Sequence, residues 1–191
     1  MYGEQKSSIR TYIGMIFAVA LTVFVVSFFF LTQKQEKEMT TFDPKRPIPS
    51  EDVLRNRLTP EEYSVVRQNG TETPFQNKYW NNTRIGLYAD LIDGEPLFTS
   101  FDKYDDGLGI PAFTKPISKD LLVEKPDNSE GMQRTKIRAR RSDARLGYVF
   151  PDQTSPTGQC YSIYSAALRF VPAEDLKGNG YEAYASLFNK K

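Results

Sequence analysis

The hydrophobic and polar positions divide the chain into three regions. The first contains an uncharged apolar run, Tyr12–Leu31, which a charged stretch follows. A helix of about 20 apolar residues crosses roughly 30 Å of hydrocarbon, whereas a cleaved signal peptide has a shorter apolar core of about 7 to 15 residues. The pattern therefore predicts an N-terminal tail at residues 1–10 and one transmembrane helix at residues 11–32.

The charges that flank this run leave the membrane side undecided. Lys6 and Arg10 precede the run, and more cations follow it, at Lys34, Lys37, Lys45 and Arg46. This excess favours a domain on the cytosolic or matrix side, although a short tail is easily translocated. Glycosylation triplets at residues 69–71 and 81–83 matter only in a secretory lumen. We predict a single-pass integral protein of an organelle inner membrane or a bacterial plasma membrane.

The second region, residues 33–57, is charged and contains prolines but no sustained apolar period. It is therefore predicted to be a linker. A helix is predicted to begin after it, at Thr59. Thr59 can cap this helix, Pro60 suits its first position, and Glu62 completes a T-x-x-E capping box.

The third region is a series of short aromatic and β-branched runs after Trp80, separated by glycine, proline, asparagine and aspartate. Such runs are typical of antiparallel strands joined by turns, and Asp93-Gly94 is a hairpin signal. Short helices are predicted after Pro172 and near Tyr181. The soluble part is therefore predicted to be one mainly β domain of the α+β class.

Composition narrows the chemistry that the chain can support. Its 191 residues include 25 Lys and Arg against 24 Asp and Glu, a balance that argues against nucleic acid as a partner. Histidine, the commonest general acid or base and metal ligand, does not occur. The single cysteine, Cys160, cannot form an internal disulfide or a thiolate zinc site. No cofactor is predicted.

Seven segments follow one another in a familiar order: LTPEEYSVVRQNGTETPF, YW, GEPLFTS, DKYDDGLGIPAFTKPI, GMQRTKIRARRSDARLGYVF, SPTG and SAALRF. Together they resemble methionine-R-sulfoxide reductase B. The resemblance defines a domain at residues 58–185, with a C-terminal tail at residues 186–191. It implies a fold of two antiparallel sheets in an open, barrel-like arrangement with peripheral helices.

The catalytic positions of that family hold other residue types in this chain. The resemblance places the cysteine nucleophile on Ser162 and an asparagine on Tyr164. Two histidines fall on Arg145 and Tyr148, and the tryptophan of the aromatic wall falls on Ile110. The family chemistry needs a thiolate, whereas a serine hydroxyl is almost entirely protonated at neutral pH. The arginine at position 145 cannot release a proton at neutral pH.

The turn and packing positions, in contrast, keep the residue types of the family. They include Gly107, Gly109, Pro111, Pro116, Gly131, Gly147, Pro156 and Gly158. A recycling cysteine of many members falls on Leu108. The cysteines of the zinc-binding branch fall on Asp90, Asp93, Ala139 and Ser142, so no metal site is predicted.

Cys160 is the remaining candidate nucleophile. In a strand its side chain shares a face with Ser162 and Tyr164, about 7 Å along the strand from Ser162. It could act as a relocated nucleophile if a cation, Arg140, Arg141 or Arg145, stabilised its thiolate. The alternative is that Cys160 is a partly buried small apolar residue.

Two charged groups each have a functional and a structural interpretation. The basic run consists of Arg138, Arg140, Arg141 and Arg145. It could bind an anionic partner, or it could be a solvated strand face. The acidic group consists of Asp102, Asp105 and Asp106. It lacks a recognised cation-ligand spacing, which favours a polar loop.

The sequence thus predicts a catalytically inactive, membrane-anchored domain. Its predicted role is that of a structural or accessory subunit of a larger membrane complex, respiratory or photosynthetic by analogy. One alternative is a peptide-methionine (R)-S-oxide reductase that uses Cys160. The other is a non-catalytic binder of oxidised methionine, with a pocket formed by Phe113, Ile110, Tyr148 and Tyr164.

Overall fold

The computed structural model describes residue 15 and residues 20–32, 41–129 and 134–189. The chain divides into two compact units, Met1–Thr41 and Phe42–Lys191. In the first unit, residues 20–32 are helical and their side chains are exposed. The predicted membrane span Tyr12–Leu31 lies partly outside the described residues.

The predicted membrane localisation is contradicted by the helices of the described ranges. None of these helices is both long and apolar enough to span a bilayer. The assignment to an organelle inner membrane or a bacterial plasma membrane is therefore wrong, and the transmembrane helix predicted at residues 11–32 has no support.

Two α-helices lie near the start of the second unit: α1, Glu51–Arg57, and α2, Pro60–Gln68. The capping box of α2 is confirmed, because Glu62 N donates to Thr59 Oγ1 over 3.2 Å and Thr59 N donates to Glu62 Oε2 over 2.9 Å. Helix α1 lies inside the predicted linker, and its Leu54 is fully buried. The sequence pattern did not indicate α1 because Ser50 makes no side-chain cap and a single buried residue creates no apolar period.

The first sheet has three antiparallel strands in the order β2-β1-β9. Its strands are β1, Gly86–Asp90; β2, Pro96–Thr99; and β9, Leu168–Pro172. The hairpin predicted at Asp93-Gly94 is confirmed, since β1 pairs with β2 and Gly94 has a left-handed φ of 79°.

The second sheet has six antiparallel strands in the order β3-β4-β8-β7-β6-β5. They are β3, Lys103–Tyr104; β4, Ala112–Phe113; β5, Leu122–Asp127; β6, Arg134–Ala139; β7, Arg145–Pro151; and β8, Gln159–Ile163. The mainly β fold of two antiparallel sheets is confirmed, and among the described strands neither sheet closes into a barrel.

Short 3-10 turns connect or follow the strands. They are Ser100–Asp102, Lys119–Leu121, Ser165–Ala167, Ala173–Asp175, Lys177–Asn179 and Glu182–Phe188. The helices predicted after Pro172 and near Tyr181 are 3-10 turns, and the last one extends into the predicted tail at residues 186–191.

An aromatic cluster joins the two sheets. Phe113 of β4 stacks on Phe98 of β2 with ring centres 4.5 Å apart, and it meets Tyr88 of β1 edge-on at 5.0 Å. All three side chains are fully buried, and burial of each stabilises the fold by about 2 kcal/mol. This cluster fixes β4 in the sheet beside β8.

Strands β7 and β8 approach each other closely at Gly147. A Cβ at this position would lie 2.0 Å from the carbonyl oxygen of Ser162. Gly147 pairs with Ile163, and the next residue, Tyr148, pairs with Ser162. Because glycine has no side chain, Gly147 allows β7 to approach β8 closely beside Ser162.

Replacing Gly147 with alanine should push β7 away from β8 and destabilise the domain by about 3 kcal/mol, measured by urea unfolding. Gly178→Ala is the matched control, because a Cβ there meets no atom within 4 Å. The control should stay within about 0.5 kcal/mol of the parent. Equal stability of the two variants would contradict the close strand approach.

Candidate functional site

Ser162 lies in the middle of the six-stranded sheet. It pairs with Ala112 of β4 on one side and with Tyr148 of β7 on the other, and Tyr148 in turn pairs with Lys136 of β6. Directly opposed residues of antiparallel strands point to the same face. These four residues therefore form one row across the sheet.

A cavity of about 290 Å³ lies beside this row. Its lining consists of Arg134, Thr135, Tyr148, Val149, Phe150, Pro151 and Ser162. Ser162 Oγ has no hydrogen-bond partner among the residues that the structure describes. The hydroxyl is therefore available to a molecule in the cavity.

Arg145 is buried next to Tyr148 of this row, with 2% of its surface exposed. Its guanidinium donates to the backbone oxygen of Gly70, to the hydroxyl of Tyr148 over 3.3 Å and to the hydroxyl of Tyr164 over 3.2 Å. It also lies 4.7 Å from the ring centre of Tyr164, a cation–π distance. A buried charge is tolerated when it is hydrogen-bonded in this way.

The hydroxyl of Tyr148 continues this network and donates to Asp127 Oδ2 over 3.1 Å. Lys136 Nζ lies 3.3 Å from the same oxygen, and the guanidinium of Arg134 lies 4.5 Å from the centre of the Tyr148 ring. Hydrogen bonds from Ser129 hold the pKa of Asp127 well below its usual range, and those from Tyr148 and Lys136 add to the effect. Asp127 therefore stays ionised and is paired with Lys136.

This arrangement gives Ser162 no evident proton acceptor. A serine nucleophile needs a base within hydrogen-bond reach. Arg145 can only donate, and burial raises the pKa of Tyr164, which keeps its hydroxyl protonated. The carboxylate of the network, Asp127, accepts from Tyr148 and Lys136. The described residues of the site can bind a group through their donors, but none of them is placed to take a proton from the Ser162 hydroxyl.

Comparison with known proteins identifies the family. Residues 58–172 match the SelR domain. The chain is also 46% identical over 140 residues to the peptide methionine sulfoxide reductase MsrA/MsrB of Vibrio cholerae serotype O1. The chain belongs to the methionine-R-sulfoxide reductase B family. The alignment covers 73% of this chain and 37% of that relative, so the chain spans little more than a third of the length of the relative.

Of the four residues predicted for the family pocket, only Tyr148 lines the cavity beside Ser162, whereas Phe113, Ile110 and Tyr164 do not. Consecutive strand residues alternate between faces, and Ala112 pairs with Ser162 while Phe113 pairs with Tyr161. Phe113 therefore faces the buried core on the other side of the sheet. Ile110 is partly buried against that same core. The predicted positions that the network does bring together are Arg145, Tyr148 and Tyr164.

Cys160 is fully buried and lies beside acidic rather than basic groups. Its thiol donates to Asp106 Oδ2 over 3.5 Å. Tyr104, which interacts with the same thiol, donates to Asp152 over 2.6 Å. Burial raises the pKa of the Cys160 thiol to about 12, and the charge of Asp106 adds to this effect. These surroundings disfavour the thiolate that a relocated nucleophile of this family would need.

The arginines of the basic run bind groups of the domain itself. Arg138 Nε lies 2.6 Å from Asp143 Oδ1. Arg140 Nη2 donates to the backbone oxygen of Leu122 over 3.0 Å. Neither side chain is simply a solvated charge, and both connect β6 or its following turn to neighbouring segments.

The positions of the zinc ligands of the family hold a cluster of a different kind. Ser142 Oγ donates to Asp90 Oδ2 over 2.9 Å, and Arg141 Nη1 lies 3.6 Å from Asp93 Oδ2. A structural zinc site needs four sulfur, nitrogen or carboxylate ligands, whereas the fourth position here is Ala139. These residues do not fit zinc, and within the described ranges no cluster of three acidic, cysteine or histidine residues could hold a metal ion.

Glu72 is a buried carboxylate that sequence reasoning missed. It accepts from the backbone N–H of Ser165 over 2.7 Å and from that of Ala166, in the turn that follows β8. Burial raises the pKa of Glu72 to about 7, although these two hydrogen bonds act in the opposite direction. Glu72 is a single residue in the loop after α2 and belongs to no sequence pattern. Only the three-dimensional structure reveals its hydrogen bonds to the turn at Ser165 and Ala166.

Alkylation of Cys160 should be slow in the folded chain. A rise of its pKa from 9.0 to about 12 lowers the thiolate fraction about 1,000-fold at neutral pH. Mass spectrometry of iodoacetamide labelling, with the chain in urea as the control, measures this difference. A folded chain that is labelled within about tenfold of the unfolded rate would contradict the protonated thiol.

The free energy of unfolding should depend on the protonation of Glu72. Its folded pKa is raised from 4.5 to about 7, so protonation favours the folded state. Relative to Glu72→Gln, wild-type stability should fall by about 1 kcal/mol per pH unit as pH rises through this window. Above the window the difference should become constant.

Urea unfolding of both proteins at a series of pH values provides the measurement. The comparison cancels the contribution of Asp90, whose pKa is also raised to about 7, mainly by burial. Parallel stability curves for the two proteins between pH 4.5 and 7 would show that Glu72 titrates normally.

Proposed function

We propose that this chain is a non-catalytic member of the methionine-R-sulfoxide reductase B family that serves as a structural or accessory subunit of a larger protein assembly. The observation that carries the proposal is the buried network of Arg145. It occupies a family acid/base position with a guanidinium that donates to Gly70, Tyr148 and Tyr164. Such a group holds the site together but cannot supply and recover a proton.

The proposal is also supported by Tyr148, which the resemblance places at the second histidine position of the family. Tyr148 donates its proton to Asp127, so its hydroxyl is already committed to a neighbour of the network. Ser162, at the nucleophile position, lacks a hydrogen-bonded base among the described residues. Among the described residues, no nucleophile, acid and base thus form a working set.

An accessory role is supported by apolar side chains on the surface of the folded unit. Phe75, Ile85, Phe101 and Leu108 are each more than half exposed. Exposed large apolar groups are common at protein contact sites when they form patches. A reductase that uses Cys160 has less support, because its thiol is buried and its pKa is raised to about 12.

The purified chain should therefore reduce a peptide methionine-R-sulfoxide no faster than buffer, with a small dithiol as the reductant and peptide mass as the readout. Ser162→Cys restores the nucleophile alone. A five-position variant adds Ile110→Trp, Arg145→His, Tyr148→His and Tyr164→Asn. Ser162→Cys should be at least about 100-fold slower than the five-position variant, because general acid catalysis contributes that much or more.

Turnover by the wild type that Cys160→Ser abolishes would overturn the non-catalytic assignment. Strong activity of Ser162→Cys alone would show that the remaining site still supplies the needed protons. The accessory role is tested separately by the native mass of the protein in gentle extracts of its source cells. A species of 21.8 kDa, without a bound partner, would contradict it.

A further inference from the structure

A second cavity lies at the edge of the six-stranded sheet, next to β3. Its volume is about 410 Å³, within the range of small-ligand pockets, about 300 to 1,000 Å³. The lining consists of Trp80, Asn81, Asn82, Thr83, Ser100, Lys103, Tyr104 and Asp105. It shares no residue with the lining of the cavity beside Ser162, so the two cavities are separate candidate sites.

The walls of this second cavity are held in place by contacts within the domain. Lys103 Nζ donates to the backbone oxygen of Trp80 over 2.8 Å and so connects β3 to the segment at residues 80–83. In that segment Asn82 Nδ2 donates to the hydroxyl of Tyr88 over 2.9 Å. The indole ring of Trp80 meets the ring of Phe75 edge-on, with ring centres 5.3 Å apart. A site that is already ordered loses less conformational freedom when a ligand binds.

The ionised residues of the lining carry one charge of each sign. Lys103 is the cation and Asp105 is the carboxylate. These two charges offset each other, so the lining favours neither a cation nor an anion. A neutral ligand therefore meets no unbalanced charge in this lining.

Several polar groups of the lining are available to a ligand. The side-chain amide of Asn81, the hydroxyl of Thr83 and the indole N–H of Trp80 have no hydrogen-bond partner in the described ranges. Asp105 Oδ1 accepts from Gly107 N over 2.9 Å, whereas Asp105 Oδ2 accepts from no described residue. Amides and hydroxyls both donate and accept, an indole only donates, and a carboxylate only accepts. A ligand that satisfies this set must both donate and accept at several points.

Two aromatic residues, Trp80 and Tyr104, add apolar surface to these polar groups. The hydroxyl of Tyr104 donates to Asp152 Oδ2 over 2.6 Å, so the polar end of Tyr104 is engaged by a residue outside the lining. Aromatic rings provide large apolar surfaces that pack against C–H groups. A neutral molecule with several hydroxyl groups and a face of C–H groups is a sugar ring.

We propose that this second cavity binds a neutral sugar ring. Asp105 Oδ2 accepts from one sugar hydroxyl, and Asn81, Thr83 and the indole N–H of Trp80 form hydrogen bonds with others. The two aromatic residues contact the C–H face of the ring. The ligand is either a free sugar or a residue of a longer saccharide chain. This inference goes beyond the proposed function and does not depend on it, because Ser162 and its network are not part of the site.

The single tryptophan of the chain gives one indole N–H resonance that reports on this cavity. Nuclear magnetic resonance titrations of the isotope-labelled full chain use the methyl glycosides of glucose, galactose, mannose and N-acetylglucosamine. At least one of them should shift the indole resonance saturably. Sorbitol, which has hydroxyl groups but no fixed C–H face, should bind at least about tenfold more weakly than the best glycoside. Equal affinity for sorbitol would overturn the proposal, as would the absence of saturable shifts with all four glycosides.

Asp105→Asn keeps an acceptor for Gly107 N and removes the free carboxylate oxygen. It should weaken binding of the best glycoside about 3- to 10-fold. Asp120→Asn is the matched control, because Asp120 is exposed and does not line the cavity, and it should change this affinity by less than about twofold. Equal effects of the two substitutions would overturn the role of Asp105.

Thr83→Val removes a hydroxyl with little change of shape and should also weaken binding about 3- to 10-fold. Thr71→Val, at an exposed threonine outside the lining, is its control. Thr83→Val keeps the proposal testable if Asp105→Asn does not fold, and unchanged affinity would contradict the site at residues 80–83. A tetrasaccharide of the preferred sugar separates the two ligand sources. Tighter binding of the tetrasaccharide than of the glycoside assigns the site to a saccharide chain, and equal or weaker binding assigns it to a free sugar.

Discussion

The organisation of this site depends on one buried positive charge. A guanidinium removed from water must be surrounded by acceptors, because an unpaired buried charge costs several kcal/mol. The two terminal nitrogens of Arg145 donate to Gly70 from the loop after α2, to Tyr148 from its own strand and to Tyr164 from the segment after β8, while its buried Nε has no partner among the described residues. These three segments are therefore held in one arrangement by a single buried side chain.

Two arginines at the connection between β6 and β7 reach both sheets. Arg141 lies in the turn between β6 and β7 and reaches Asp93 in the hairpin of the three-stranded sheet. Arg145 is the first residue of β7 and organises the site on the six-stranded sheet. Residues 141–145 thus connect a contact with the hairpin of the three-stranded sheet to the hydrogen-bond network on the six-stranded sheet.

Sequence reasoning was successful where the determining contacts are local. The capping box at Thr59 and the hairpin at Asp93-Gly94 each depend on neighbours within a few residues, and both were recovered. Helix α1 was missed because its stability comes from burial of Leu54 against the domain. The membrane helix was inferred from apolar length alone, and the described helices did not bear out the localisation that followed from it.

In the site, too, the sequence predicted residue types but not the contacts between residues that are far apart in the chain. Residue types alone indicated that the catalytic set of the family is replaced. They did not indicate that Arg145 reaches Gly70, that Tyr148 reaches Asp127, or that Glu72 holds the turn at Ser165, because these partners are separated by 21 to 93 residues. Strand alternation placed Cys160 correctly on a shared face but could not reveal the carboxylates beside it.

The surroundings of Cys160 also determine how the domain responds to oxidants. Peroxide converts cysteine to sulfenic acid at a rate that follows thiolate character and exposure, and this thiol is both buried and protonated. The chain contains no second cysteine with which it could form an internal disulfide. Oxidation of this thiol is therefore expected to be slow, and the fold contains no internal disulfide whose formation would follow the redox state of its compartment.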